Sequence, residues 1–121
     1  MNIERWPAGA PARSRTVAHA GLVWTVAHAT DPASAPDFPA QITQTLAALD
    51  EGLREGGSSR DRVLSVQVML ASLAMKSAFD ELWCAWIGPD AAHWPQRACF
   101  EGKSAPGLLL EITAVAAREA R

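Results

Sequence analysis

Tyrosine is absent from the chain, so no phenolic hydroxyl is available to any pocket. Cysteine is scarce. Cys84 and Cys99 are too few for a disulfide framework, and both thiols are expected to be free in a reducing cytoplasm. No apolar run approaches the roughly 18 residues a membrane helix needs. Met1–Pro7 contains Glu4 and Arg5, lacks an apolar core, and reads as no secretory signal. Basic charge is not in excess. The net charge is −2, from 13 acidic and 11 basic side chains, and the closest basic cluster, Arg60 to Arg62, encloses Asp61. A nucleic-acid binder would carry a basic stripe, so that class of partner is not expected. His19, His28 and His93 match no zinc spacing and no CxxC pair joins them, so no metal site is expected. Phosphate loops, dinucleotide fingerprints and Gly-x-Ser-x-Gly elbows are missing too.

What is present suits one globular domain spanning 1–121. The chain has 121 residues, 49% hydrophobic and 20% charged, too few for two well-buried cores. Arg15–Ala18 and Leu22–Val26 are rich in β-branched and aromatic residues and flank Gly21, which predicts two short strands and a tight turn. Ala29–Pro39 holds three prolines and reads as a loop. Asp37 then caps a helix with Pro39 in its first turn. Phe38, Ile42, Leu46, Leu49 and Leu53 recur at helical spacing, Gln41, Gln44 and Glu51 fall elsewhere on the wheel, and Gly56-Gly57 stops the helix. Val63–Leu70 predicts a strand with Leu64, Val66, Val68 and Leu70 on its apolar face. Ser72 precedes a second helix over Met75–Ile87, striped by Phe79, Leu82, Trp83 and Trp86 and ended by Gly88-Pro89. Gln96–Phe100 and Leu108–Ala116 predict two closing strands. The fold class is therefore α+β, a mixed sheet with two helices packed on one face.

The chemistry concentrates in the last third. Arg97 and Cys99 lie two apart on one strand and face the same side, while Glu111 shares a side with Leu109, Thr113 and Val115. An arginine and a glutamate on otherwise apolar strands are costly to bury unpaired. They are expected to face a cleft or each other, and a cross-strand ion pair without catalytic meaning is one of the two outcomes. A guanidinium grips a carboxylate with two parallel hydrogen bonds, which makes Arg97 the natural anion site.

Trp94-Pro95-Gln96-Arg97-Ala98-Cys99-Phe100 followed by Leu108-Leu109-Leu110-Glu111-Ile112-Thr113-Ala114-Val115-Ala116 resembles the hallmark of the Rid (reactive intermediate deaminase, YjgF-type) superfamily. Arg62–Leu70 and Ser77–Trp83 extend the resemblance upstream, and the whole runs from about Leu22 to Ala117. The resemblance implies a chorismate-mutase-like domain that assembles through its sheet faces into a barrel-like homotrimer. It implies clefts between subunits, a small carboxylate-bearing ligand, and no cofactor. The implied activity is hydrolysis of 2-imino or enamino acids to keto acids and ammonia. Arg97 would hold the carboxylate, Glu111 would orient or activate water, and Cys99, Val26, His28 and Trp94 would border the pocket. Three positions depart from the pattern of deaminase-active members: no tyrosine exists, Val26-Ala27 stand where Ser-Gly is usual, and Asp80 stands where asparagine is usual. The pattern is closer to a divergent branch. A noncatalytic binder of small carboxylates on the same fold is the alternative reading.

Overall fold

A computed structural model describes residues 2–119. Its elements are β1 (Glu4–Pro7), β2 (Ser14–His19), β3 (Leu22–Ala27), α1 (Phe38–Glu55), β4 (Val63–Leu70), α2 (Lys76–Ile87), β5 (Gln96–Glu101) and β6 (Leu110–Ala117). The six strands form one sheet in the order β1-β2-β3-β6-β4-β5. Every neighbouring pair is antiparallel except β4 and β5. Parallel neighbours need a crossover, and α2 supplies it. The α+β expectation holds, with two helices on one sheet face and element ends within two residues of those expected. The addition is β1, which pairs Trp6 with Thr16 and tucks Trp6 against the core. Its four residues, one a proline, are too short and too mixed to show a strand period.

The core lies between the sheet and the helices. Asp37 caps α1 by accepting a hydrogen bond from the Ala40 amide at 2.9 Å. Ile42, Leu46, Leu49 and Leu53 are buried against the sheet, each contributing about 1.5–3 kcal/mol by burial. α1 lies close to β3 because Gly52 and Gly56 face it. A Cβ on Gly52 would collide with the Thr25 hydroxyl, and one on Gly56 with a Val23 methyl. The left-handed conformation of Gly57, φ +82°, then ends the helix.

Two expectations are corrected. Gln41 is buried, 2% exposed, rather than on the polar side of α1. Its Nε2 donates to the Gly107 carbonyl at 2.6 Å and its Oε1 accepts from the Leu109 amide at 2.9 Å. Both ends of the amide are satisfied, which lets a polar side chain pin α1 to the loop before β6. Leu64 is 49% exposed, and Val63 takes its place in the core. The register against β6 shifts between Val63 and Ser65, and this bulge turns Leu64 outward before the alternation resumes at Val66. Ser72 caps a short 3-10 turn, Leu73–Met75, that leads into α2. Among the described residues no helix is long and apolar enough to cross a membrane.

The helix-free sheet face mixes polar side chains such as Gln67, Glu111 and Thr113 with exposed apolar ones. Trp24, Val26 and Phe100 are 40%, 36% and 45% exposed, and their register partners Val115, Thr113 and Met69 place them on that side.

Candidate functional site

Arg97 sits on β5, the edge strand, opposite Val66 of the core. That register sends its side chain to the helix face, where α2 receives it. Nη2 donates to Asp80 Oδ1 at 2.7 Å. The guanidinium lies 5.6 Å from the Phe79 ring centre and 5.7 Å from that of Trp83, within cation–π reach of both. Helical spacing builds this receptor: Phe79 and Trp83, four apart, stack at 5.9 Å, while Lys76 and Asp80, also four apart, form an ion pair at 2.8 Å. One Asp80 carboxylate thus bridges Lys76 and Arg97. Burial alone would raise its pKa, but the hydrogen bonds and charges of Lys76 and Arg97 outweigh that and hold it below the ordinary value. Cys99 follows Arg97 on the same face, half-buried. Burial pushes its thiol up, against the opposite pull of the Arg97 and Lys76 charges. That shift disfavours the thiolate that nucleophilic attack requires.

From Arg97 and Asp80 a groove of about 700 Å³ runs along the C-terminal half of α2. Trp83, Cys84 and Ile87 form one wall, and Pro89, Trp94 and Pro95 close the other. Trp94 is 58% exposed, yet its Nε1 donates to the Gly88 carbonyl at 2.9 Å. Gly88, at φ +84°, ends α2 and turns that carbonyl toward the indole.

The structure brings together Arg97, Cys99 and Trp94 and places Glu111, Val26 and His28 elsewhere. β4 separates β5 from β6, so Arg97 and Glu111 are not on adjacent strands. Glu111 pairs with Met69 on the helix-free face, whereas Arg97 pairs with Val66 on the helix face. Of the two outcomes the sequence left open, the cross-strand ion pair is therefore not formed, and Asp80 partners Arg97. Val26 lines a smaller cavity, about 360 Å³, on the helix-free face with Val17, Trp24, Gln67, Thr113 and Val115. His28 follows β3, is exposed, and donates from Nδ1 to the Ala29 carbonyl at 3.0 Å. The residues that sequence reasoning missed are Lys76, Phe79 and Trp83 as a receptor for Arg97. Their i, i+4 spacing was visible, but which strand α2 would cover was not. Among the described residues no three His, Cys, Asp or Glu side chains gather as a metal cluster.

The family model described as Endoribonuclease L-PSP matches residues 3–118. The "RutC family protein YoaB" of Escherichia coli (strain K12) is 33% identical over 78 residues, which cover 64% of this chain and 67% of that protein. Among solved structures, NMB1025 of Neisseria meningitidis, a member of the YjgF protein family, superposes with a TM-score of 0.89 at 26% identity, covering 100% of this chain and 98% of that one. An uncharacterized protein of Pseudomonas aeruginosa superposes with a TM-score of 0.85 at 32% identity, covering 98% and 100%. Matched from its first strand to the end of its last, with the same fold in relatives across their full length, the chain belongs to the YjgF/Rid family.

Proposed function

We propose that the protein hydrolyses reactive 2-imino or enamino acids, with Arg97 as the carboxylate anchor. The observation that carries the reading is Arg97 itself, a guanidinium lying against the stacked Phe79 and Trp83 rings of α2 at the head of an apolar groove. In the reaction, water adds to the carbon of the C=N bond, the tetrahedral adduct expels ammonia, and a keto acid remains. Glu111 is the group assigned to orient that water and take its proton. One chain presents Arg97 and Glu111 on opposite sheet faces, so the reading includes a homotrimer whose clefts combine groups from neighbouring copies. The exposed Trp24, Val26 and Phe100 on the helix-free face support such an assembly because they would otherwise face water.

The alternative is a noncatalytic binder of small carboxylates. It is favoured by the absence of any hydroxyl at Val26 and Ala27 and by Asp80, which already occupies part of Arg97. RNA cleavage, which the matched family description names, draws little support here. Arg15, Arg54, Arg60, Lys76, Arg97 and Arg118 are each tied to a carboxylate, which offsets their charge toward a phosphate backbone.

The test is ammonia and keto-acid release from freshly generated 2-iminopropionate, with wild type, Arg97→Ala and Glu111→Ala side by side. Acceleration by wild type and loss in both variants supports hydrolysis. A rate equal to the uncatalysed one, with keto acid still bound through Arg97, supports the binder.

A further inference from the structure

The groove beyond Arg97 is larger than a three-carbon acid can fill. We propose that it is a side-chain subsite, and that the ligand is a 2-imino or 2-keto acid carrying an aromatic or bulky branched apolar group. The proposal rests on the reading of Arg97 as the carboxylate anchor and adds the identity of what lies at the other end.

Four observations lead there. First, the polar groups are confined to one end: Arg97 and Asp80 stand at the head, and the walls beyond them are tryptophan, isoleucine and proline side chains. A carboxylate placed on Arg97 therefore directs the rest of its molecule along apolar surface. Second, α2 keeps the space open. Trp83 and Ile87 are 6% and 7% exposed and offer the groove only an edge, while the small residues Cys84 and Ala85 face outward. Third, Trp94 is an indole held in place but not covered. Its single donor is engaged by the Gly88 carbonyl, and the ring remains 58% exposed. A fixed, uncovered aromatic face opposite a helix wall is a stacking platform for another ring. Fourth, a volume of about 700 Å³ lies within the range of sites for ligands much larger than pyruvate.

Beyond Arg97 and Asp80, no charged side chain among the described residues lines the groove: Trp83, Cys84, Ala85, Ile87, Pro89, Trp94 and Pro95 are all neutral. The side chain it fits is thus neutral: a phenyl, indolyl or branched aliphatic group, not a carboxylate or a guanidinium.

Calorimetric titration with pyruvate and phenylpyruvate tests this directly, without depending on turnover. Wild type is expected to bind phenylpyruvate about tenfold or more tighter than pyruvate, the return for burying a phenyl group. Cys84→Trp, which fills the groove from an exposed helix position, and Trp94→Ala, which removes the platform, are each expected to reduce that ratio toward one. A general loss of structure would weaken both acids together and leave the ratio unchanged, and circular dichroism checks the fold of each variant. Equal wild-type affinities for the two acids overturn the subsite while leaving the anchor role of Arg97 standing. Binding of neither acid, or binding that survives Arg97→Ala, overturns the anchor and the subsite with it. A changed mass by light scattering in Cys84→Trp, with the preference for phenylpyruvate intact, assigns the groove to subunit contact and refutes the proposal.

Discussion

Asp80→Asn isolates the one feature of the site that works against an anionic ligand. Asp80 Oδ1 accepts from Arg97 Nη2 at 2.7 Å, and Oδ2 accepts from Lys76 at 2.8 Å, so a fixed negative charge stands where a ligand carboxylate must approach. Asparagine keeps the shape and an acceptor oxygen but removes the charge. At full burial two carboxylates this close would repel by several kcal/mol, but the Asp80 side chain is 35% exposed and that of Arg97 21%, so solvent screens the effect. A gain of about 1 kcal/mol for the ligand, about fivefold in Kd, is the expected size. The cost to folding is of the same order or smaller, because partly exposed ion pairs contribute only about 0.2–1 kcal/mol. The assay is calorimetric titration with pyruvate at low and high salt, paired with a thermal melt. Tighter binding in Asp80→Asn that shrinks as salt rises is the expected pattern. Weaker binding with an unchanged melt would refute the reasoning, because Asp80 would then be assisting the ligand and not competing with it.

The folded-state pKa of Asp80 is depressed, so its stabilising contribution is complete above the ordinary value of 3.8 and is lost as pH falls through the lower folded value. Acid titration of stability should therefore fall below about pH 4, less steeply in Asp80→Asn than in wild type. Cys99 has a raised thiol and Cys84 is exposed, so iodoacetamide at pH 7.5 should label Cys84 well before Cys99, read by peptide mass spectrometry. Gly52→Ala should lower stability by about 1–3 kcal/mol in thermal or urea unfolding, because the clash with Thr25 exceeds the helix propensity that alanine brings.

The architecture was legible where residues repeat with a period and obscure where geometry is set across strands. The stripe Ile42, Leu46, Leu49 and Leu53, and for α2 Ser72, the stripe Phe79, Leu82, Trp83 and Trp86 and the stop at Gly88-Pro89, are local, and they gave both helices. Leu64 misled because a bulge changes strand parity without leaving a mark in the apolar pattern. Gln41 misled because its two partners, Gly107 and Leu109, lie in a loop more than sixty residues away. The site shows the same division. Arg97 and Cys99 share a face because they lie two apart on one strand, which sequence alone dictates. Arg97 and Glu111 belong to different strands, and their relation depends on the strand order. With β4 inserted between β5 and β6, two residues that read as neighbours fall on opposite faces.

That separation makes the composition of the proposed cleft testable. Within one chain Arg97 lies against α2 and Glu111 projects from the helix-free face, so both act on one ligand only where two copies meet. Arg97→Ala and Glu111→Ala are each expected to be inactive alone. If they are mixed in equal amounts, unfolded and refolded together, random assembly places an intact Arg97 beside a neighbour's intact Glu111 in about a quarter of the clefts of a cyclic trimer. Imine hydrolysis should return to about that fraction of the wild-type rate. Were both groups drawn from the same chain, no cleft of any mixed assembly would hold the pair, and the mixture would stay as inactive as its parts.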